Sequence, residues 1–178
     1  MTRAQRFAIV AAVSLTISAV RLAPLRAQTA SSPPANAAAA TLTIGGDVAS
    51  PLTLTPAEIK TMPRTTVSVR EGDRQIRYEG VLAGELLKRA GAPVGRDLTG
   101  KAIATYVRAS ATDGYQVVFS IAELDPAFTA NDIIVADTVD GKALPAQQGP
   151  LRIVAPHDSH ASRWVRMLQR LDVVRLVK

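Results

Sequence analysis

The sequence predicts an α+β domain in which a strand-rich mixed sheet is accompanied by a few short peripheral helices. Many short apolar runs are bounded by turn signals such as Asp113-Gly114 and Asp140-Gly141, a pattern typical of strands. Helix signals are fewer, and prolines or glycines soon follow most of them. Residues 41–178 have the length of one domain, and a chain of that size can bury a core without disulfides.

Four segments are predicted to be helical. Thr55–Glu58 (TPAE) is a capping box with proline at the first helical position, and Pro63 ends that helix. Ser120–Glu123 (SIAE) is a second capping box and predicts the start of another helix. An apolar stripe predicts a third helix over Leu82–Ala90, and Arg163–Leu168 is predicted to be a shorter one.

The remaining apolar runs are predicted to be strands, because they are short and rich in β-branched residues. The turn residues between the first two make them a hairpin. In chain order, the predicted strands are Thr65–Val69, Gln75–Glu79, Ala102–Ala109, Tyr115–Phe119, Ile133–Thr138, Leu151–Ala155 and Val173–Val177.

The first residues predict an exported protein. Arg3 and Arg6 form a basic n-region, and Phe7–Val20 is an apolar stretch too short to span a bilayer. A small residue, Ala27, precedes an acceptable cleavage site. Residues 1–27 are therefore predicted to be a signal peptide, and we expect a periplasmic or secreted protein with no membrane anchor after cleavage.

Residues 28–40 are of low complexity and rich in Ala, Pro and Ser, which predicts a flexible linker before the folded domain at 41–178. Cleavage of the leader removes four arginines and leaves 17 basic against 15 acidic residues. The basic charge of the full chain is therefore weak evidence for a nucleic-acid partner, and none is expected.

The C-terminal region carries the strongest functional signal. Gly149–Pro156 (GPLRIVAP) reads as a buried strand stopped by proline, and a polar loop follows it. Arg152 lies inside this apolar strand, while Arg163 and Arg166 follow the loop. Because the planar guanidinium fork suits oxyanions, the pattern predicts an anion-binding corner.

This segment resembles the end of the oxidoreductase molybdopterin-binding domain, a family with the sulfite-oxidase-like fold. In that family a G-P-L-R-hydrophobic strand ending in proline precedes an A-R-x-V-K/R-hydrophobic-L segment that touches the pterin. The resemblance covers most of the chain beyond about residue 41. Further landmarks of the family occur in order at Leu42–Pro63, Tyr78-Glu79-Gly80-Val81, Leu86-Leu87, Asp113-Gly114-Tyr115, Ala136-Asp137 and Asp140–Pro145.

The resemblance implies a molybdopterin cofactor and, if the domain is an enzyme, a molybdopterin-dependent oxidoreductase. It also implies a cysteine thiolate that holds molybdenum after the strand Thr65–Val69. Here that place reads Arg70, Glu71, Gly72 and Asp73, and the chain has no cysteine. Soft metals in redox sites are usually held by thiolate, so the metal-ligand cysteine is predicted to be lost. No catalytic residue and no metal ligand is assigned.

The arginine candidates each have a structural alternative. Arg152 either meets a bound anion or forms a salt bridge, for which Asp113, Asp137 and Asp140 are the candidates. By the resemblance, Arg163 corresponds to a pterin-contacting arginine and Arg166 to the basic residue that follows it. A structural ion pair is the alternative for Arg163.

The other candidates are weaker. Tyr115 fits either a pocket mouth or packing across a hairpin. His157 and His160 are spaced to share a metal, but two imidazoles need a further ligand, so a solvated loop is favoured. The predicted cofactor-binding residues are Arg163, Arg166, Arg152, His157, His160 and Tyr115.

Three functions remain open. The first is an exported domain that resembles molybdopterin-dependent oxidoreductases and has lost the metal-ligand cysteine. The second is a non-catalytic periplasmic module that binds a small anionic ligand, such as a pterin, or a partner protein. The third is a metal-binding accessory protein that uses the two histidines.

The leader makes a testable prediction about the export route. Arg3 and Arg6 are separated by two residues, so the leader has no Arg-Arg pair. We expect the mature protein to begin near Gln28 and to accumulate outside the cytoplasm when the twin-arginine translocase is disabled. N-terminal sequencing and cell fractionation measure this. Without an Arg-Arg pair, the leader is expected to direct the chain through the general secretion pathway and not through the twin-arginine translocase. Retention of the protein in the cytoplasm of that strain would refute this expectation.

Overall fold

The computed structural model describes residues 41–176; the predicted signal peptide (1–27) and linker (28–40) lie outside them. The described strands are β1 (Leu42–Gly46), β2 (Leu52–Leu54), β3 (Thr65–Glu71), β4 (Arg74–Leu82), β5 (Thr105–Ala111), β6 (Gln116–Ser120), β7 (Ile134–Val139), β8 (Lys142–Ala143), β9 (Arg152–Val154) and β10 (Leu168–Arg175). The helices are α1 (Pro56–Lys60) and α2 (Ala83–Arg89), with 3₁₀ turns at Gly95–Asp97, Gly100–Ile103, Ala122–Leu124 and Ala161–Arg163.

The strands form two sheets. The first has the order β2-β1-β10-β5-β6, in which β1 and β10 run parallel and the other neighbours are antiparallel. The second has the order β3-β4-β7, and β9 and β8 pair in succession with β7. This mixed, strand-rich arrangement with short helices confirms the predicted α+β class.

The first predicted helix start is confirmed in atomic detail. The hydroxyl oxygen of Thr55 accepts the backbone N–H of Glu58 at 3.2 Å, and the Glu58 carboxylate accepts the backbone N–H of Thr55 at 2.7 Å. The two groups thus cap each other across the first turn of α1. The helix ends at Lys60, and its C-cap residue Thr61 lies two residues before Pro63.

The second capping box forms, but the predicted helix does not. Ser120 donates its N–H to the Glu123 carboxylate at 2.7 Å, and the Ser120 hydroxyl accepts the Glu123 N–H at 3.2 Å. Only a 3₁₀ turn follows, because Asp125 takes an extended backbone conformation before Pro126. The capping residues therefore fix the start of the turn but not its length.

The third predicted helix is confirmed as α2, which begins one residue later than expected. Leu86, Leu87 and Ala90 are fully buried, as the apolar stripe indicated. Gly91 follows with a φ of +73°, the left-handed conformation common after helix ends.

The predicted helix at Arg163–Leu168 is wrong. Arg163 is the last residue of a 3₁₀ turn, residues 164–167 are irregular with Met167 at a φ of +49°, and β10 begins at Leu168. The N–H of Ile153 donates to the Val165 carbonyl at 2.9 Å, and the N–H of Leu168 donates to the Leu151 carbonyl at 2.8 Å. Pairing with the chain around β9 thus satisfies these backbone groups and replaces the internal hydrogen bonds of a helix.

The predicted strands are found with shifted ends, and Val177, the last residue of the predicted strand Val173–Val177, lies outside the described residues. The first hairpin is confirmed, and its two strands extend to the turn at Gly72-Asp73. The strand predicted from Ala102 begins only at Thr105, because Gly100–Ile103 is a 3₁₀ turn. Asp140 and Gly141 both have positive φ, 46° and 75°, as a type I′ turn between β7 and β8 requires.

The core is one cluster of buried apolar side chains drawn from both sheets and both helices. Close packing of β4 on β7 depends on Gly80, which adjoins a register shift between the two strands. A Cβ on Gly80 would lie 2.1 Å from the Val135 carbonyl oxygen, inside any allowed contact. Among the described residues, no helix has the length and apolarity needed to span a bilayer.

We therefore expect Gly80→Ala to lower the free energy of unfolding by about 3 kcal/mol, at the upper end of overpacking costs, because the methyl group meets rigid backbone. Gly45→Ala is the matched control. Its Cβ would lie 3.2 Å from the Arg170 guanidinium, the far end of a flexible side chain. Urea unfolding of both variants measures the difference, and equal losses would contradict this role of Gly80.

Candidate functional site

A cleft of about 820 Å³ opens where several turns of the two sheets meet. The β3–β4 hairpin tip, the β5–β6 turn and the β7–β8 turn each contribute to its lining. The segments before β9 and before β10 complete it. Its lining residues of chemical interest are Glu71, Arg74, Tyr78, Asp113, Tyr115, Asp140, Gln148, Arg152, Trp164 and Arg166.

Arg152 is the buried cation of this cleft. It is the first residue of β9, and only 6% of its surface is exposed. Its Nη1 donates to the Tyr78 hydroxyl oxygen at 3.2 Å and to the side-chain oxygen of Gln148. The guanidinium carbon lies 5.1 Å from the centroid of the Tyr78 ring and 5.4 Å from that of Trp164. Its contacts are thus with neutral groups.

The salt bridges predicted as the alternative for Arg152 are absent from the described residues. Asp137 instead accepts two hydrogen bonds from Arg64, at 2.6 and 2.9 Å. Asp140 accepts the backbone N–H of Arg77 at 2.9 Å, and Asp113 accepts that of Tyr115 at the same distance. Asp113 and Asp140 line the same cleft but hold turns, Asp137 forms an ion pair with Arg64, and none of the three bonds to Arg152.

The charge of Arg152 is therefore poorly compensated. Burial is the largest cause of its lowered pKa; Tyr78 opposes this effect, the nearby positive charge of Arg166 lowers the pKa further, and Glu71 opposes it least. Its Nε is buried without a hydrogen-bond acceptor. Burial also raises the pKa of Tyr78, which keeps the phenol neutral and unable to balance the cation. A buried charge in this state is costly, and an anion in the cleft would reduce the cost.

Arg166 adds a second, accessible cation to the same cleft. Its side chain is exposed, and it forms no ion pair with a carboxylate of the described residues. Arg74, at the hairpin tip, is a third lining cation, and Glu71 stands opposite it in the β3–β4 register. The structure thus brings together two of the three arginines that the sequence singled out, Arg152 and Arg166.

Tyr115 forms part of the cleft wall, at a site between two segments. Its hydroxyl donates to the Ser162 carbonyl at 2.6 Å and so ties the β5–β6 turn to the 3₁₀ turn at Ala161–Arg163. The residue remains 48% exposed. The residue therefore meets the geometric expectation of a pocket-lining aromatic, and its hydrogen bond also fixes the wall.

Arg163 does not line the cleft. Its Nε and Nη2 donate to both carboxylate oxygens of Asp158, at 2.9 and 2.6 Å, and its Nη1 donates to Glu123 at 3.0 Å. The guanidinium also lies 4.9 Å from the centroid of the Phe119 ring. The hydrogen bond to Asp158 is the largest cause of its raised pKa. Its geometry is that of the structural ion pair.

His157 and His160 lie on exposed positions of the polar loop and do not line the cleft. Within the described part of the chain, no three His, Cys, Asp or Glu side chains are grouped to hold a metal ion. The structure therefore does not place the two histidines in the cleft with Arg152 and Arg166.

Two residues of the cleft were not predicted as binding residues. In the sequence, Tyr78 is only part of an aromatic-x-Gly landmark, because it lies 74 residues from Arg152 and the fold brings the two together. Gln148 had no signal at all, because its role depends on a turn that folds back on Arg152. Trp164, which also lines the cleft, is buried, and its ring N–H donates to the Ala155 carbonyl at 3.0 Å.

The chain is similar to known proteins in sequence and in fold. The sequence profile of a family described as oxidoreductase molybdopterin binding domain matches residues 29–177. Among solved structures, the sulfane dehydrogenase SoxCD from Paracoccus pantotrophus is similar in fold, with a TM-score of 0.61 and 22% sequence identity. The match covers 78% of this chain and 39% of that longer chain. No curated protein sequence matches this chain.

The ion pairs of Arg163 make a testable prediction. We expect Arg163→Ala to lower the free energy of unfolding by about 1 kcal/mol, since three charge-assisted hydrogen bonds are lost from a partly exposed and therefore screened site. Affinity for inorganic phosphate should not change, because Arg163 lies outside the cleft. Thermal unfolding and calorimetric titration measure the two quantities, with exposed Arg70→Ala as the control. Weaker phosphate binding at unchanged stability would reverse the assignment.

Proposed function

The chain belongs to the oxidoreductase molybdopterin-binding domain family, and we propose that it is an exported member whose cleft binds a small anionic ligand, such as a phosphorylated pterin, without a thiolate-held molybdenum. On this proposal the protein is a binding module of the periplasm. Its ligand enters the cleft between the strand ends and meets Arg152 and Arg166.

One observation carries the proposal: Arg152 is buried in the cleft with neutral partners only. A buried arginine that serves stability alone is normally paired with a carboxylate. Here the cleft also carries the carboxylates Glu71, Asp113 and Asp140. None of them bonds to Arg152, and a second cation, Arg166, shares the cleft. A buried guanidinium without a bonded carboxylate, with a second guanidinium in the same cleft, favours an oxyanion as the ligand at Arg152.

The residues of this chain fit the organic part of the family's cofactor better than its metal. The cleft offers guanidinium groups for a phosphate and a volume of about 820 Å³ for a fused ring. The chain has no cysteine, and the described residues supply no cluster of alternative ligands. A molybdenum ion held by thiolate therefore does not fit, and we assign no redox step to it.

The position expected for the family's metal-ligand cysteine also lies at this cleft. In the family, the cysteine follows the strand that corresponds to β3, and β3 ends here at Glu71, which lines the cleft. Glu71 is exposed and stands opposite Arg74 across the hairpin. This edge of the cleft therefore presents a carboxylate and an arginine and no soft ligand, so it is polar and solvated.

Ligand binding by purified protein tests the proposal. We expect inorganic phosphate and a phosphorylated pterin to bind and to raise Tm, as a ligand of the folded state must. Arg166→Ala should weaken binding roughly tenfold or more, because a charge-assisted hydrogen bond of about 1.5–3 kcal/mol is lost. Tm without ligand should stay unchanged, since Arg166 has no ion-pair partner among the described residues. Calorimetric titration measures affinity.

The controls separate the three open functions. Arg152→Lys keeps a buried charge but not the planar fork, and it should reduce affinity while the protein still folds. His157→Ala combined with His160→Ala should leave phosphate affinity and Tm unchanged, because both side chains are exposed. Metal analysis of natively purified protein completes the set. Stoichiometric molybdenum would contradict the proposal, and copper or zinc lost in the double variant would favour the accessory-protein function.

A further inference from the structure

The turn that precedes β9 is held from two sides. The N–H groups of Gln148 and Gly149 both donate to the Pro145 carbonyl, at 2.8 and 2.9 Å. The carbonyl of Gln148 accepts the N–H of Met167 at 3.0 Å. Gly149 is needed for this packing, since a Cβ there would lie 2.9 Å from the Cβ of Leu144. The backbone of Gln148 is therefore fixed beside Arg152.

The side chain of Gln148 faces Arg152 with its oxygen. A guanidinium has donors only, so the amide must present its acceptor to Nη1. The hydroxyl oxygen of Tyr78 is the other acceptor, and both partners are neutral. These two groups hold the guanidinium in place without cancelling its charge.

A glutamate at the same position would have almost the same size and would accept the same hydrogen bond. It would also neutralise the buried cation, and charge-assisted hydrogen bonds are roughly twice as strong as neutral ones. Gln148 is half-buried, so the desolvation cost of a carboxylate there is smaller than in a core. For stability alone, glutamate would be the better partner.

We infer that Gln148 is the specificity-determining residue of the cleft: its neutral amide orients Arg152 and leaves the charge available to an external oxyanion. This inference rests on the proposed function and goes one step beyond it. It means that the cleft selects ligands by negative charge, and that the selection depends on a residue that need not touch the ligand. Gln148 is thus a positioning residue that acts through Arg152.

The test is the variant Gln148→Glu with Gln147→Glu as its matched control. Gln147 is exposed in the same turn, so the control adds the same charge without contacting Arg152. We expect Gln148→Glu to raise Tm by a few degrees and to weaken phosphate and phosphorylated-pterin binding roughly tenfold or more. Gln147→Glu should change neither quantity by more than a small fraction of this.

Gln148→Ala provides the second readout. It removes the orienting oxygen without supplying a charge, so both Tm and affinity should fall. A merely structural role for Gln148 predicts that Tm and affinity change in the same direction in every variant. If Gln148→Glu raises Tm and lowers affinity, the new carboxylate has neutralised the charge of Arg152.

The outcomes distinguish this inference from the proposed function. If the unaltered protein binds neither phosphate nor the phosphorylated pterin, the proposed function fails and this inference fails with it. If the unaltered protein binds and Gln148→Glu binds equally well, only the role of Gln148 is wrong. A fall in Tm for Gln148→Glu would also overturn it, because the carboxylate would then not be accepted beside Arg152.

Discussion

The cleft depends on one interaction, the retention of the Arg152 cation by neutral partners. The arginine lies in β9 and pairs through its backbone with β7, and its guanidinium contacts the rings of Tyr78 and Trp164. Removing a charge from water is costly, and aromatic rings and neutral oxygens return only part of that cost. The surrounding fold must therefore supply the rest, and it does so through the buried apolar residues of both sheets.

The sheet topology explains how this arrangement is reached. Two short strands, β9 and β8, share one strand, β7, so the chain between them must leave the sheet and return. That excursion contains the Pro145–Gly149 turn, which brings Gln148 to Arg152. On the other side of the cleft, Tyr115 is tied to the Ser162 carbonyl. Loops on rigid strand ends thus position the polar groups, as is usual for binding sites.

The sequence predicted the fold better than the site. Strand and turn signals have local causes, so the hairpin at Gly72-Asp73, the capping box at Thr55 and the class of the domain could all be predicted. The error at Arg163–Leu168 arose because pairing with the chain around β9 is a long-range effect that local propensity does not encode. For the same reason, the sequence left two roles open for Arg163, a ligand contact and an ion pair. The ion pair could not be preferred from the sequence, because its partners Asp158 and Glu123 meet Arg163 only in the folded protein.

Arg163 and Arg152 differ in how the protein balances their charges, and this difference explains why the cleft can bind an anion. Arg163 meets two carboxylates and has its charge satisfied within the protein. Arg152 meets an amide and a phenol, and its charge is not satisfied. Since the chain contains carboxylates in adjacent turns that serve other groups, the lack of a carboxylate beside Arg152 is a property of the local packing and not of composition. An unpaired buried cation lowers the stability of the folded protein. Such destabilising features are concentrated at functional sites, where a ligand supplies the missing partner.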